Sequence, residues 1–170
     1  MRQAKCIYTK SLTYHSTPTA PTARRVNSNV RRLKKKEINM KLLPILAAGF
    51  AYFALGGLWF TPLFGRQWDK AVGFERPPKW RPSTIYYVGP LLGCLVAAFA
   101  TAYLAQLAQA QSLEDYLRIG FLAGIGYGTP ITAVNAIAPN MRHPGLYAAV
   151  VGSYHLAGLV LCSAVLHWLS

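Results

Sequence analysis

The strongest constraint in this 170-residue sequence is a set of four uncharged apolar runs. A bilayer's hydrocarbon core is roughly 30 Å thick and a helix rises about 1.5 Å per residue, so a crossing takes about 20 apolar residues. The runs are residues 42–60 (LLPILAAGFAYFALGGLWF), 85–107, 119–138 and 146–166, and no formal charge follows Arg142. A body covering 40–170 is too small to wrap four such helices in polar partners, which excludes an ordinary soluble domain. The expected fold class is therefore all-α, a multi-pass membrane protein with four transmembrane helices.

The flanks of the runs agree. Trp59 and Phe60 close the first, Tyr86 and Tyr87 open the second, Tyr116 precedes the third and Trp168 closes the fourth. Aromatic side chains with one polar edge concentrate where hydrocarbon meets water. Between the first and second runs, Pro62 is expected to end the first helix, because proline cannot donate to the helical ladder. Beyond it, Phe64, Trp68, Ala71 and Val72 recur at helical spacing, with Arg66, Asp69 and Lys70 elsewhere. That pattern predicts a short amphipathic helix in the headgroup plane, ended by Gly73.

Charge is unevenly placed. The chain carries 18 Lys+Arg against 5 Asp+Glu, and ten of those bases with one acid, Glu37, fall in residues 1–39. This stretch has no hydrophobic periodicity and is expected to be a basic, disordered extension. It has three readings: an over-extended reading frame with Met40 as the start, an Arg- and Ser-rich organelle transit peptide, or a basic tail on anionic lipid. The loop charges weigh on this choice. The first loop holds Arg66, Lys70, Arg76, Lys79 and Arg81, and the third adds Arg142; Lys41 and Arg118 lie on the other face. Starting at Met40, the large loop is cytoplasmic; with residues 1–39 present, the orientation reverses. Only the Met40 start makes the loop charges self-consistent. The location follows as the cell membrane, or an organelle membrane if the extension is a transit peptide.

Lipid offers no hydrophobic drive between helices, so close packing through small residues must hold them together. Gly120, Gly124 and Gly128 lie four apart and continue to Thr132 and Ala136; Gly49, Gly56, Gly89, Gly93 and Gly152 offer grooves on the other runs. The third run is accordingly expected to be the central packing element. Pro130 within it is expected to bend it. Small-residue stripes on several helices also leave faces for a second copy, so a homo-oligomer is expected.

Chemistry has few candidates. No Cys/His metal spacing, Walker loop or dinucleotide loop is present, so no metal, cofactor or nucleic-acid partner is called for, and Cys94 and Cys162 read as small hydrophobes. The runs lack the charged residues that ion and proton carriers usually place in the membrane. The polar groups left inside are His155 and Tyr154 in the fourth run, Asn135 and Thr132 in the third, and Tyr52 in the first. In hydrocarbon such groups must find partners, so they are expected to face the bundle interior. His155 and Asn135 then have two readings, a site for a small polar solute or one interhelical hydrogen bond that sets register.

The segment from Gly56 to Trp68, with Trp59, Pro62 and Gly65 inside it, and Gly152-Ser153-Tyr154-His155 in the last run carry a resemblance. They are similar to a G-x-LW[YF]-x-PLFG-x-x-W signature and a GYH-like motif of the small four-helix membrane family called domain of unknown function 1761. The resemblance spans residues 42–168 and implies a multi-pass membrane protein, with no activity attached; residues 1–39 depart from the family pattern.

The functional expectation is a membrane-embedded binding or transport module, not an enzyme, in contact with the lipid bilayer. The alternative is an accessory subunit scaffolding a membrane-protein partner through the aromatic and cationic first loop. A His155-based membrane enzyme or redox protein ranks last, since no nucleophile–base–carboxylate set can be named.

Overall fold

Prolines and glycines set the helix plan. The computed structural model describes residues 41–170 apart from Pro78, so the readings of residues 1–39 and of Met40 lie outside the described residues. The elements are α1 (Leu42–Leu58), a turn of π-helix (Trp59–Leu63), α2 (Gly65–Val72), α3 (Ile85–Leu107), α4 (Leu113–Ala123), a second turn of π-helix (Gly124–Gly128), α5 (Thr129–Ala136) and α6 (Pro144–Leu169). No strand occurs among the described residues.

Each boundary has a local cause. Ser112 and Asp115 form a capping box at the start of α4, each satisfying a backbone N–H of the other. Pro144 opens α6, where its missing N–H costs nothing. Gly73 ends α2 at φ 73°, a conformation glycine adopts without strain, and Phe74 N–H bonds back to Asp69 O at 2.9 Å. At Pro62 the structure differs from expectation. The first helix runs on through it, because Phe64 N–H reaches five residues back to Trp59 O at 2.8 Å and the widened turn accommodates the ring. The same device precedes Pro130, where Thr129 N–H reaches Gly124 O. The helical backbone is thus continuous from Leu113 to Ala136, starting six residues before the apolar run that predicted it.

Among the described residues three helices, Leu42–Leu63, Ile85–Leu107 and Pro144–Leu169, are long and apolar enough to cross a membrane. Large apolar side chains cover the outside: Leu43 is 76% exposed, Val96 68% and Val134 68%. Water would not tolerate so continuous a surface on a protein this size, whereas lipid is its natural solvent. The chain is an integral, multi-pass membrane protein.

The hub of the bundle is α6, not the glycine-striped third run. It packs against α1, α2, α3, α4 and α5, while α1 and α3 pack on each other. Small residues on several of its faces explain this. Gly152, Gly158, Cys162 and Ser163 are all buried, so neighbours approach from more than one side. The glycine stripe supplies the matching groove. A Cβ on Gly120 would come within 2.6 Å of Leu159 O, and one on Gly124 within 2.9 Å of Leu156 Cα. Gly128 lies against His155 Cβ, and Gly152 against Thr129, whose hydroxyl donates to Gly152 O at 3.3 Å.

Candidate functional site

The most concentrated polarity inside the bundle lies where α1, α3 and α6 meet. Tyr52, on the inner face of α1, is 3% exposed; Tyr154, on α6, is 6% exposed. Tyr52 Oη and His155 Nδ1 are 2.7 Å apart, the imidazole tautomer deciding which group donates. Tyr154 Oη lies 3.6 Å from Cys94 Sγ on α3. Each phenol therefore ties α6 to a different neighbour. In hydrocarbon, where water cannot substitute, such bonds fix helix register as well as orient the groups that make them.

Absent side chains make room for these. A Cβ on Gly158 would overlap the Tyr52 ring, and one on Gly56 would come 2.8 Å from Tyr154 Oη. Glycine at both positions lets two aromatic side chains come close against neighbouring helix backbones. Gly56 belongs to the motif read from the sequence; Gly158 and Cys94 were missed, and a glycine three residues after His155 was the available signal.

The rings form a file from the bundle interior to its rim. Tyr52 and Tyr154 have centroids 5.3 Å apart, Tyr154 and His155 4.9 Å, Tyr154 and Phe60 4.9 Å, and Phe60 and Trp68 on α2 6.4 Å. Trp59 stands beside this file, 4.8 Å from Phe64, and its indole N–H donates to Val150 O at 3.0 Å. That bond fastens the end of the first span to the first third of α6. Pro62 and Gly65 shape the same corner: Gly65 is buried, and a Cβ there would come 2.7 Å from Phe60 O. Edge-to-face and tilted rings at these separations add to the area they bury.

Other residues singled out by the sequence lie elsewhere. Thr132 is buried, but its hydroxyl donates to Gly128 O on its own helix at 2.7 Å. Asn135 is exposed and, among the described residues, its side chain has no hydrogen-bond partner, in contrast to the inward position expected of it. The reason is the register of the third run, whose buried positions are Gly120, Gly124, Thr132 and Ala136; Asn135 falls one residue off that stripe. Among the described residues no three metal-ligating side chains converge.

Two cavities among the described residues lie at opposite ends of α6. One of about 90 Å³ is bordered by Lys41, Ile45, Tyr116 and Ser170. The other, of about 240 Å³, lies between α2 and the segment before α6. Neither is lined by Tyr52, Tyr154 or His155, whose polar atoms bond to one another and to Cys94 while the His155 ring stays half-buried. Beside the larger cavity, Arg76 donates twice to Asp69, at 2.6 and 3.0 Å, and these bonds push the arginine pKa up further.

A model of the family described as "Protein of unknown function (DUF1761)" matches residues 43–167. Among curated proteins, the chain is 38% identical over 81 residues to the fluoride-specific ion channel FluC of Dichelobacter nodosus. That alignment covers 47% of this chain and 64% of the relative's length. No solved structure matches.

Proposed function

Because this chain belongs to the family described as protein of unknown function (DUF1761) and is built for lipid, we propose that it is a small membrane transport module. The carrying observation is the Tyr52–His155 hydrogen bond of 2.7 Å within an apolar bundle. Polar groups in hydrocarbon are costly and commonly mark solute paths. The relative's character as an ion channel supports transport over catalysis and makes fluoride the first solute to test. Tyr52, Tyr154 and His155 are the proposed contact groups.

We read the rod from Leu113 to Ala136 as the fourth crossing, with its first turn, through Asp115, standing at the rim outside the hydrocarbon. Its 24 residues span about 36 Å, more than the roughly 30 Å required. Two contacts support an even number of passes. Lys41 Nζ donates to Ser170 O at 2.9 Å at one end, and His143 N–H donates to Ala71 O at 2.9 Å at the other. Glycine, threonine, proline and asparagine make this run less apolar than the other three. We place α2 in the headgroup plane: Ala71 and Gly65 face the protein, while Arg66 and Lys70 are exposed. Residues 1–39 are an extension and 40–170 the membrane domain, in the cell membrane. The working unit is a homo-oligomer, since a Cβ on Gly93 or Gly126 meets nothing within 4 Å and leaves those faces for a second copy.

Purified protein in proteoliposomes, read with a fluoride electrode, tests the proposal. The expected result is efflux well above empty liposomes, much reduced by His155→Ala and by Tyr52→Phe. Efflux equal to empty liposomes for fluoride, chloride and protons would remove the transport reading. It would favour the second one, a scaffold subunit working through Trp68 and the loop charges. The pairing of Tyr52 with His155 and of Tyr154 with Cys94, which satisfies these groups within one chain, is the observation on that side.

A further inference from the structure

The larger cavity has a composition that the transport reading does not use. Its walls come from α2 and its exit, which bring Asp69, Lys70, Phe74 and Glu75, and from the segment before α6, which brings Arg142 and His143. The backbone fixes the two walls together through the His143 N–H bond to Ala71 O. Gly73 keeps the space open, since a Cβ there would come 3.2 Å from Arg142 Cδ. Arg76 already occupies Asp69. Lys70, Arg142 and Glu75 are left with no ion pair among the described residues, although they share one small cavity.

Two unpaired cations and one unpaired carboxylate around a common space match a ligand carrying both a phosphate and an amine. Lys and Arg are suited to phosphate oxygens, the guanidinium supplying several N–H donors in a plane. A carboxylate is suited to an ammonium. The volume falls below the roughly 300–1,000 Å³ that accommodates drug-sized ligands, and suits a headgroup. A chain of aromatic rings continues from Phe74 on its wall. Phe74 and Trp80 have centroids 5.3 Å apart, Trp80 and Tyr86 6.0 Å, and Arg76 lies over Trp80 at 5.4 Å. Such a belt belongs at the level of lipid headgroups.

We propose that this cavity is a binding site for an amine-bearing phospholipid of the phosphatidylethanolamine class, with Arg142 and Lys70 on the phosphate and Glu75 on the amine. This rests on the reading that α2 lies in the headgroup plane, and not on the transport reading. Bound lipid would pin α2 to the start of α6.

Native mass spectrometry of the full chain, titrated with phosphatidylethanolamine, phosphatidylcholine and phosphatidylglycerol, tests it. The expected order is phosphatidylethanolamine several-fold above the other two, because the choline has no N–H to give Glu75 and the glycerol has no cation. Glu75→Gln should erase the margin over phosphatidylglycerol, Arg142→Ala should weaken all three, and Tyr52→Phe should change none. Equal retention of the three lipids by the wild-type chain, or a preference untouched by both Glu75→Gln and Arg142→Ala, would overturn the site. Displacement by free phosphoethanolamine at matching concentration would overturn the lipid as its source. A variant with Trp68 as its single tryptophan, mixed with bromine-labelled lipids, separates the two claims. An unquenched Trp68 sinks the placement of α2, whereas quenching without lipid preference sinks the cavity site alone.

Discussion

The two turns of π-helix, Trp59–Leu63 and Gly124–Gly128, meet the same backbone difficulty with opposite side chains. Both adjoin a proline in an apolar helix, and both reach five residues back for the hydrogen bond an ordinary turn would lose. The first projects bulk: Trp59 and Phe60 lean on Phe64, Trp68 and Tyr154. The second removes it, with three glycines in five residues, and α6 moves in until Leu156 and His155 touch its backbone side. A widened turn is thus a neutral device, and its side chains decide whether it fills a corner or opens a groove.

Exchanging small for large in the second turn should give the biggest effect. Gly124→Leu drives a side chain into Leu156 Cα, a backbone atom that cannot step aside, and should cost about 1–3 kcal/mol or more. Gly126→Leu meets open space, so it should leave the melting midpoint in detergent unchanged while disrupting the oligomer seen by light scattering. Equal loss of midpoint in both variants would break the contrast between a filled and an open face of the same turn.

The first turn should be less sensitive. Trp59→Phe keeps an aromatic ring, smaller than the indole, but removes the donor to Val150 O, for a loss of about 0.5–1.5 kcal/mol from the hydrogen bond in a denaturant melt. Smaller again is Tyr52→Phe, since interhelical polar bonds in membranes average about 0.6 kcal/mol. Its larger signature is the loss of fluoride efflux. A variant that keeps full efflux would assign the Tyr52–His155 bond to packing alone.

The smallest effect is at the rim. Backbone N–H groups of Ser112 and Gln111 hold the Asp115 carboxyl below the usual carboxylate range. A lowered folded-state pKa means stabilisation that is present above the ordinary carboxylate pKa and lost as pH falls through the lowered value. Asp115→Asn should therefore flatten the acid side of the pH–stability profile through a small loss of stability at neutral pH, with almost no change at the acid end.

What could be read from the sequence follows from how lipid constrains a chain. Length and the absence of charge were enough for the apolar helices, because hydrocarbon tolerates little else. The stripe through Gly120, Gly124 and Gly128 was readable for the same reason: close approach demands missing side chains. The role of Pro62 was not, because a bond five residues back leaves no mark in composition. Nor was the central place of α6, which depends on small residues on two faces, Gly152 with Ser163 and Gly158 with Cys162, rather than in one row. Of the polar residues, Tyr154 and His155 share a motif and Tyr52 meets them across the bundle. Asn135 was misplaced by one residue of register, a shift of about 100° on a helix with 3.6 residues per turn.

The bond from Lys41 to Ser170 has an engineering consequence. Residues 41 and 170 stand close enough for a short peptide to join them, and new termini could be cut into the loop between Leu107 and Leu113 on that same rim. Such a circularly permuted chain would keep every interhelical contact while exchanging which half leaves the ribosome first, separating the final architecture from the insertion sequence that produces it.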